Sequence, residues 1–142
     1  MVNRKLSAEK DYPLSEKRPA LLKAPTGKTL NDITLEKVMN GQVKPEDVRI
    51  SPETLELQAQ ISDADDRKAI SRNFRRAAEL IAIPDDRLLE IYNALRPFRS
   101  TSEELIAIAE ELEEKYDAVI NGAFIREAAE VYKKRNKLKT EE

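Results

Sequence analysis

From about residue 30 onward, apolar residues recur at spacings of three and four, the period of an α-helix with one covered face. Asn31, Asp32 and Thr34 all offer N-cap oxygens ahead of Leu35–Met39, and Gly41 stands where a left-handed residue would end that helix. A short turn, Lys44–Val48, carries Pro45 near its first helical position. Ser51-Pro52-Glu53 combines a cap, a proline suited to N1 and an acid for the positive end of the dipole, and predicts a helix to about Ser62. In Arg67–Ile83, the positions Ile70, Phe74, Ala77, Ala78 and Ile81 form one stripe. Pro84 ends it. Asp85 and Asp86 open the next helix, whose buried face is expected from Leu88, Ile91, Tyr92 and Leu95, and Pro97 stops it at Arg96.

Thr101-Ser102-Glu103-Glu104 is a capping box. Behind it, Leu105, Ile108, Ala109, Leu112 and Tyr116 keep helical spacing, and Glu103, Glu110, Glu111, Glu113 and Glu114 read as a solvated face. The last helix is expected from about Ala118 to Arg135. Ile120, Ala123, Phe124, Ala128 and Val131 make one stripe; Ile125, Ala129 and Tyr132 make a second. Two stripes suggest cover on two sides. Lys133, Lys134 and Arg135 suit the negative end of the dipole.

Residues 1–30 differ. Pro13, Pro19 and Pro25 interrupt them, and Tyr12, Leu14, Leu21 and Leu22 stand isolated among charges. An extended arm is expected, either frayed or packed on its own domain or on a partner. The fold class is therefore mainly α: a single compact helical domain over 31–139, an extended N-terminal arm over 1–30 and a charged tail at 140–142.

Composition narrows the function. The chain has 142 residues, 37% charged, with three Gly, and 25 Lys+Arg against 27 Asp+Glu give a net charge of −2. That balance makes no bulk electrostatic case for nucleic acid. There is no Cys and no His, so no thiolate or imidazole can serve as nucleophile, base or metal ligand. No stretch is long and apolar enough to span a bilayer, and the N-terminus lacks the apolar run of a signal peptide. A cytoplasmic helical protein without chemistry of its own is expected. Gly27-Lys28-Thr29 matches the tail of a phosphate loop, but the upstream glycine is missing. Asp63, Asp65 and Asp66 fall in a turn and Asp85 and Asp86 at a helix start, where acids belong without binding metal. Arginines at 67, 72, 75, 76, 87, 96 and 99 concentrate positive charge. They suit ion pairs with acids of this chain or a partner; an RNA-binding face is the rival reading. In Arg96-Pro97-Phe98-Arg99 an aromatic stands between two guanidinium groups, as a core plug or a partner anchor.

The stretch Asn73-Phe74-Arg75-Arg76-Ala77-Ala78-Glu79-Leu80-Ile81-Ala82-Ile83-Pro84-Asp85-Asp86-Arg87 resembles the small (γ) subunit of adenosylcobalamin-dependent glycerol and propanediol dehydratases. Ile91–Ser100, Asp11–Leu14, Leu30–Glu36, Arg49–Ser51, Ala123–Ala129 and Lys137–Lys139 fit the same family in order, covering about residues 11–139. The resemblance implies an α2β2γ2 assembly with large and medium subunits that dehydrates glycerol to 3-hydroxypropionaldehyde or propane-1,2-diol to propionaldehyde. It implies that adenosylcobalamin is bound by the large and medium subunits, and that this chain supplies no catalytic, cofactor or metal residue but braces the large subunit. Tyr12, Arg96, Phe98, Arg99, Ile125 and Tyr132 are the candidate subunit interface. Neither nucleic acid nor membrane is an expected partner. Some propanediol-type relatives carry a longer extension ahead of the Asp11–Leu14 segment, linked with packaging in a protein shell. The ten residues here favour the glycerol type and an unpackaged cytoplasmic enzyme. The alternative is a free-standing helical adaptor or an RNA-binding module using the arginine-rich face.

Overall fold

The computed structural model describes residues 5–140. Among them are eight α-helices and three short 3-10 turns, and the only strand-like pairing is a Lys23–Thr29 bridge. The chain divides into two compact units between Ala78 and Glu79.

The first unit begins with α1 (Ala8–Asp11), α2 (Leu14–Lys17) and a 3-10 turn at Pro19–Leu21. The arm is therefore wound into short turns where an extended segment was expected. The prolines explain this. Pro13 occupies the N-cap of α2 and Pro19 the first turn of the 3-10 segment, positions where a missing N–H costs nothing. The arm is also packed on its own chain: Leu6 and Leu14 are buried with Ile61 of α4 (Pro52–Ala64), flanked by Leu22 and Leu57. Asp11 is buried and accepts the Ser7 N–H at 2.8 Å and the Arg18 guanidinium at 2.5 Å.

Thr34 is the residue that caps α3 (Leu35–Met39). Asp32 serves a 3-10 turn instead, accepting the Thr29 N–H at 2.9 Å and its hydroxyl at 2.8 Å. Those two bonds, with Lys37, hold its carboxyl down to about 2. Gly41 is left-handed, as its position predicts, with φ 75°. The turn Pro45–Val48 contains Asp47, buried among three donors: Lys28 Nζ at 2.6 Å, Thr26 Oγ1 at 2.7 Å and the Lys44 N–H at 2.8 Å. Lys28 above all, then the Lys44 amide and Thr26, hold its carboxyl well below the usual range. Ser51 caps α4 through the Thr54 N–H at 3.1 Å.

The apolar stripe of α5 (Lys68–Leu80) is less covered than its pattern predicts. Ile70 and Ile81 are exposed, Phe74, Ala77 and Ala78 are half-buried, and the fully buried residue is Ser71. The contact of α5 with α4 is polar: Arg75 donates to Ser71 Oγ at 2.8 Å and grips Glu56 at 3.0 Å and Asp63 at 2.8 Å.

The second unit holds α6 (Asp85–Ala94), α7 (Ser102–Tyr116) and α8 (Val119–Lys134). Its core is Ile83, Ile91, Leu105, Ile108, Ala109, Leu112, Ala118, Ile125 and Ala129. The buried face of α7 is the one expected from sequence. Tyr92 of α6 is not buried as expected; it is 70% exposed. The residues that reach the core on this side are Leu88, Ile91, Ala94 and Leu95, a stripe centred near Ile91 that leaves Tyr92 about a quarter-turn to one side. The expected capping box forms, with the Thr101 N–H on Glu104 at 2.9 Å and the Glu104 N–H on Thr101 at 3.2 Å. Asp117, left-handed at φ 53°, turns the chain from α7 into α8. The two helices approach closely enough at Gly122 that a Cβ there would lie 2.5 Å from Glu113 Cγ.

No side chain local to α8 caps its start. Glu79 does so from 41 residues earlier, accepting the Ile120 N–H at 2.9 Å, the Asn121 N–H at 2.9 Å and Asn121 Nδ2 at 2.6 Å. Its negative charge also meets the positive end of the α8 dipole.

Glu79→Ala is expected to cost about 2 kcal/mol, since it strands amides at a buried helix start. Glu79→Gln, which keeps one acceptor, should cost less; urea midpoints of the three proteins measure the order. For Asp47 the sign follows from its lowered carboxyl. The unfolded state takes up a proton below about pH 4 while the folded state resists, so the stabilisation is complete near neutrality and fades as pH falls. The midpoint gap between wild type and Asp47→Asn should be constant from pH 7 to 5 and narrower at pH 3.

Candidate subunit interface

The Arg96–Arg99 segment is a tight turn, closed by the Arg99 N–H on the Arg96 carbonyl at 3.3 Å. Pro97 supplies the fixed φ of the second position. The third position is Phe98, left-handed at φ 65°, the arrangement of a type II turn with an aromatic where glycine is usual. The turn is tied to the chain's C-terminal segment at several points. The Phe98 N–H donates to the Lys137 carbonyl at 2.7 Å, and the Lys139 N–H to Ser100 at 2.9 Å. Ser100 Oγ reaches the Ala94 carbonyl at 2.8 Å. Lys137 Nζ lies 4.9 Å from the centre of the Phe98 ring, a cation–π contact.

Phe98 is nonetheless 55% exposed, so of its two readings the core plug falls away. The other candidates are scattered. Tyr12 is 57% exposed in the first unit. Arg96 and Arg99 are exposed beside Phe98. Tyr132 is half-buried and donates its hydroxyl to the Leu95 carbonyl at 2.6 Å, which anchors α8 behind the same turn. Ile125 is the correction: it is 2% exposed, packed in the chain's own core, and presents no surface to a partner. The two stripes of α8 were assigned from spacing alone. The second faces α7, whereas Ala123 and Phe124 of the first stand exposed. The tie of the turn to Lys137 and Lys139 left no signal in the sequence, because it is made by backbone groups.

Most of the charge that looked free is paired. Arg87 reaches Glu111 with Nε at 3.1 Å from both carboxylate oxygens, and Glu90 at 2.7 Å. Arg126 holds Glu113 at 2.7 Å. Each arginine pulls its glutamate's carboxyl down from the usual range. Glu111 and Glu113 thus leave the solvated face assigned to α7. Arg75 is equally committed within the first unit, which removes it from any RNA-binding face. An open groove of about 520 Å³ in the second unit is lined by Ala94, Ala107 and Ile108, with Arg87, Glu104 and Glu111 already engaged and Arg99 at hand.

Nothing in this set suits a cobalt or metal centre. The sequence has no imidazole or thiolate, and among the described residues no group of three acids converges on a metal position. No helix of the described residues is long and apolar enough to cross a membrane.

The geometry defines a helical subunit whose polar groups serve structure and whose exposed aromatic and basic side chains face outward. The dehydratase small-subunit family model matches residues 7–139. The propanediol dehydratase small subunit of Salmonella typhimurium is 58% identical over 129 residues, 91% of this chain and 75% of that protein. The corresponding subunit of Citrobacter freundii is 57% identical over the same shares. The chain belongs to the dehydratase small-subunit family, and its partners are the other subunits of a dehydratase.

An exposed Phe98 predicts a small stability effect. Phe98→Gly gives up a cation–π contact of about 0.5–1 kcal/mol and relieves a left-handed penalty of about 1–2 kcal/mol. Its melting temperature should match or exceed wild type. Leu112→Ala, in the core, should lose about 2–5 kcal/mol. Thermal melts followed by circular dichroism separate the two; a melt of Phe98→Gly as low as that of Leu112→Ala would place Phe98 in the core.

Proposed function

We propose that this chain is the small, non-catalytic subunit of an adenosylcobalamin-dependent dehydratase acting on propane-1,2-diol or glycerol, and that it works in the cytoplasm within an α2β2γ2 assembly. The observation that carries the reading is the family match over residues 7–139, in a chain with no His and no Cys. The names of the relatives favour a diol substrate. When bound, adenosylcobalamin supplies the radical that starts such a dehydration. Its binding, and that of the substrate, is assigned to the large and medium subunits, as the family resemblance implies. The chain's contribution is to brace the large subunit. Its rigid parts suit that work: a hairpin of two long helices joined by the Arg126–Glu113 pair, and a turn pinned at both ends.

Co-expression with the large and medium subunits tests the reading. The three chains are expected to elute together, in equal numbers, and to dehydrate propane-1,2-diol or glycerol once adenosylcobalamin is added. Omitting this chain should sharply lower the yield of assembled enzyme. The chain alone should leave the cobalamin spectrum unshifted. Elution apart from both other subunits would overturn the proposal.

A further inference from the structure

We infer that the end of the second unit formed by the Arg96–Arg99 turn and the segment after α8 docks on a carboxylate-bearing surface of the large dehydratase subunit, with Phe98 seated in a pocket there. The inference rests on the subunit reading and adds to it a place, a chemistry and an anchor.

Charge is the first support. Arg96 and Arg99 flank Phe98, and the backbone bonds to Lys137 and Lys139 bring the basic 133–139 segment alongside. Neither stretch contains an acid. Arg96, Arg99, Arg135, Lys137 and Lys139 make no ion pair within the described residues, although the chain as a whole carries more acids than bases. Elsewhere Arg75, Arg87 and Arg126 are paired with glutamates and Arg18 and Arg67 with aspartates. Cations collected at one end and left unpaired are complementary to carboxylates on another chain.

Conformation is the second. A bulky residue held at φ 65° is an outlier, and such strain persists where the surrounding structure imposes it. Here the Lys137 carbonyl and the closing Arg96–Arg99 bond impose it, and the result is an aromatic ring pushed outward. A side chain on so constrained a backbone loses little entropy on docking. Aromatic and arginine side chains together are the composition of interface anchors. Arg99 also lines the open groove beside the turn, whose apolar floor of Ala94, Ala107 and Ile108 gives an entering side chain cover and a cation at the same place.

The test is binding of this chain to an immobilised assembly of the large and medium subunits, at 50, 150 and 300 mM NaCl. Wild type should bind, and more weakly as salt rises. The double variant Arg96→Glu/Arg99→Glu should bind at least about tenfold more weakly at low salt, with a flatter salt dependence. Phe98→Gly should lose about thirtyfold while keeping the wild-type salt dependence and melting at or above the wild-type temperature. Variants that bind like wild type would overturn the docking surface and leave the subunit reading intact. Failure of wild type itself to bind would instead overturn the subunit reading. Transfer of the charge-reversal effect to single-stranded RNA, or to self-association measured by sedimentation, with subunit binding unchanged, would also overturn the docking surface.

Discussion

The second unit depends on how α8 begins. A helix start leaves amides without partners, and this one follows Asp117-Ala118, where no local oxygen reaches back. Glu79 supplies that oxygen from the end of α5, meeting two backbone amides and the Asn121 side chain at once. Because the contact fixes where α8 starts, it also fixes which residues arrive at α7. Ile125 and Ala129 reach the core, Arg126 reaches Glu113, and Tyr132 reaches the Leu95 carbonyl. Beyond α8, Lys137 then accepts the amide of Phe98. A one-residue change in the start of α8 would turn its side chains by about 100° and break all of these together.

The first unit is held by a different device. Its apolar cluster is small, with Leu6, Leu14 and Ile61 as its buried members. Buried carboxylates do much of the ordering instead. Asp11 ties α1 to Arg18, and Asp47 ties the Thr26–Lys28 stretch to the turn before α4. Each carboxylate is covered yet meets hydrogen-bond donors, which is the condition for burying one at all. Short irregular segments thereby acquire defined positions that their own helix-forming strength would not secure.

These devices give structural roles to many of the ionisable groups in a chain rich in them. Many of its acids cap helices or pair with arginines and lysines, and Arg87, Glu104 and Glu111 in the groove of the second unit are already engaged. What stays outward is a set of aromatic and aliphatic side chains and one basic end, the surface expected of a member of a larger assembly. Belonging to the dehydratase small-subunit family, whose members are parts of a larger enzyme, is consistent with such a surface.

Helix positions were legible in the sequence because they are local. Ser51, Pro84 and Thr101 each act within one turn of backbone and stand at the N-caps of α4, α6 and α7, while α5 and α6 stop at Leu80 and Ala94, short of Pro84 and Pro97. The covered face of α7 was legible for the same reason, since its apolar spacing has only one interpretation. Family membership was legible from ordered motifs. Where two stripes competed, as on α8, spacing could not choose, and Ile125 went to the core while Phe124 stayed out. The arm's prolines predicted interruption, but proline serves equally well to start a turn, and only packing against α4 selected that use. Glu79 looked like one acid among many, and Phe98 like a core residue as readily as a surface one. Their roles come from amides and carbonyls some forty residues away, brought near by the fold, and no side-chain pattern in the sequence records where backbone groups will meet.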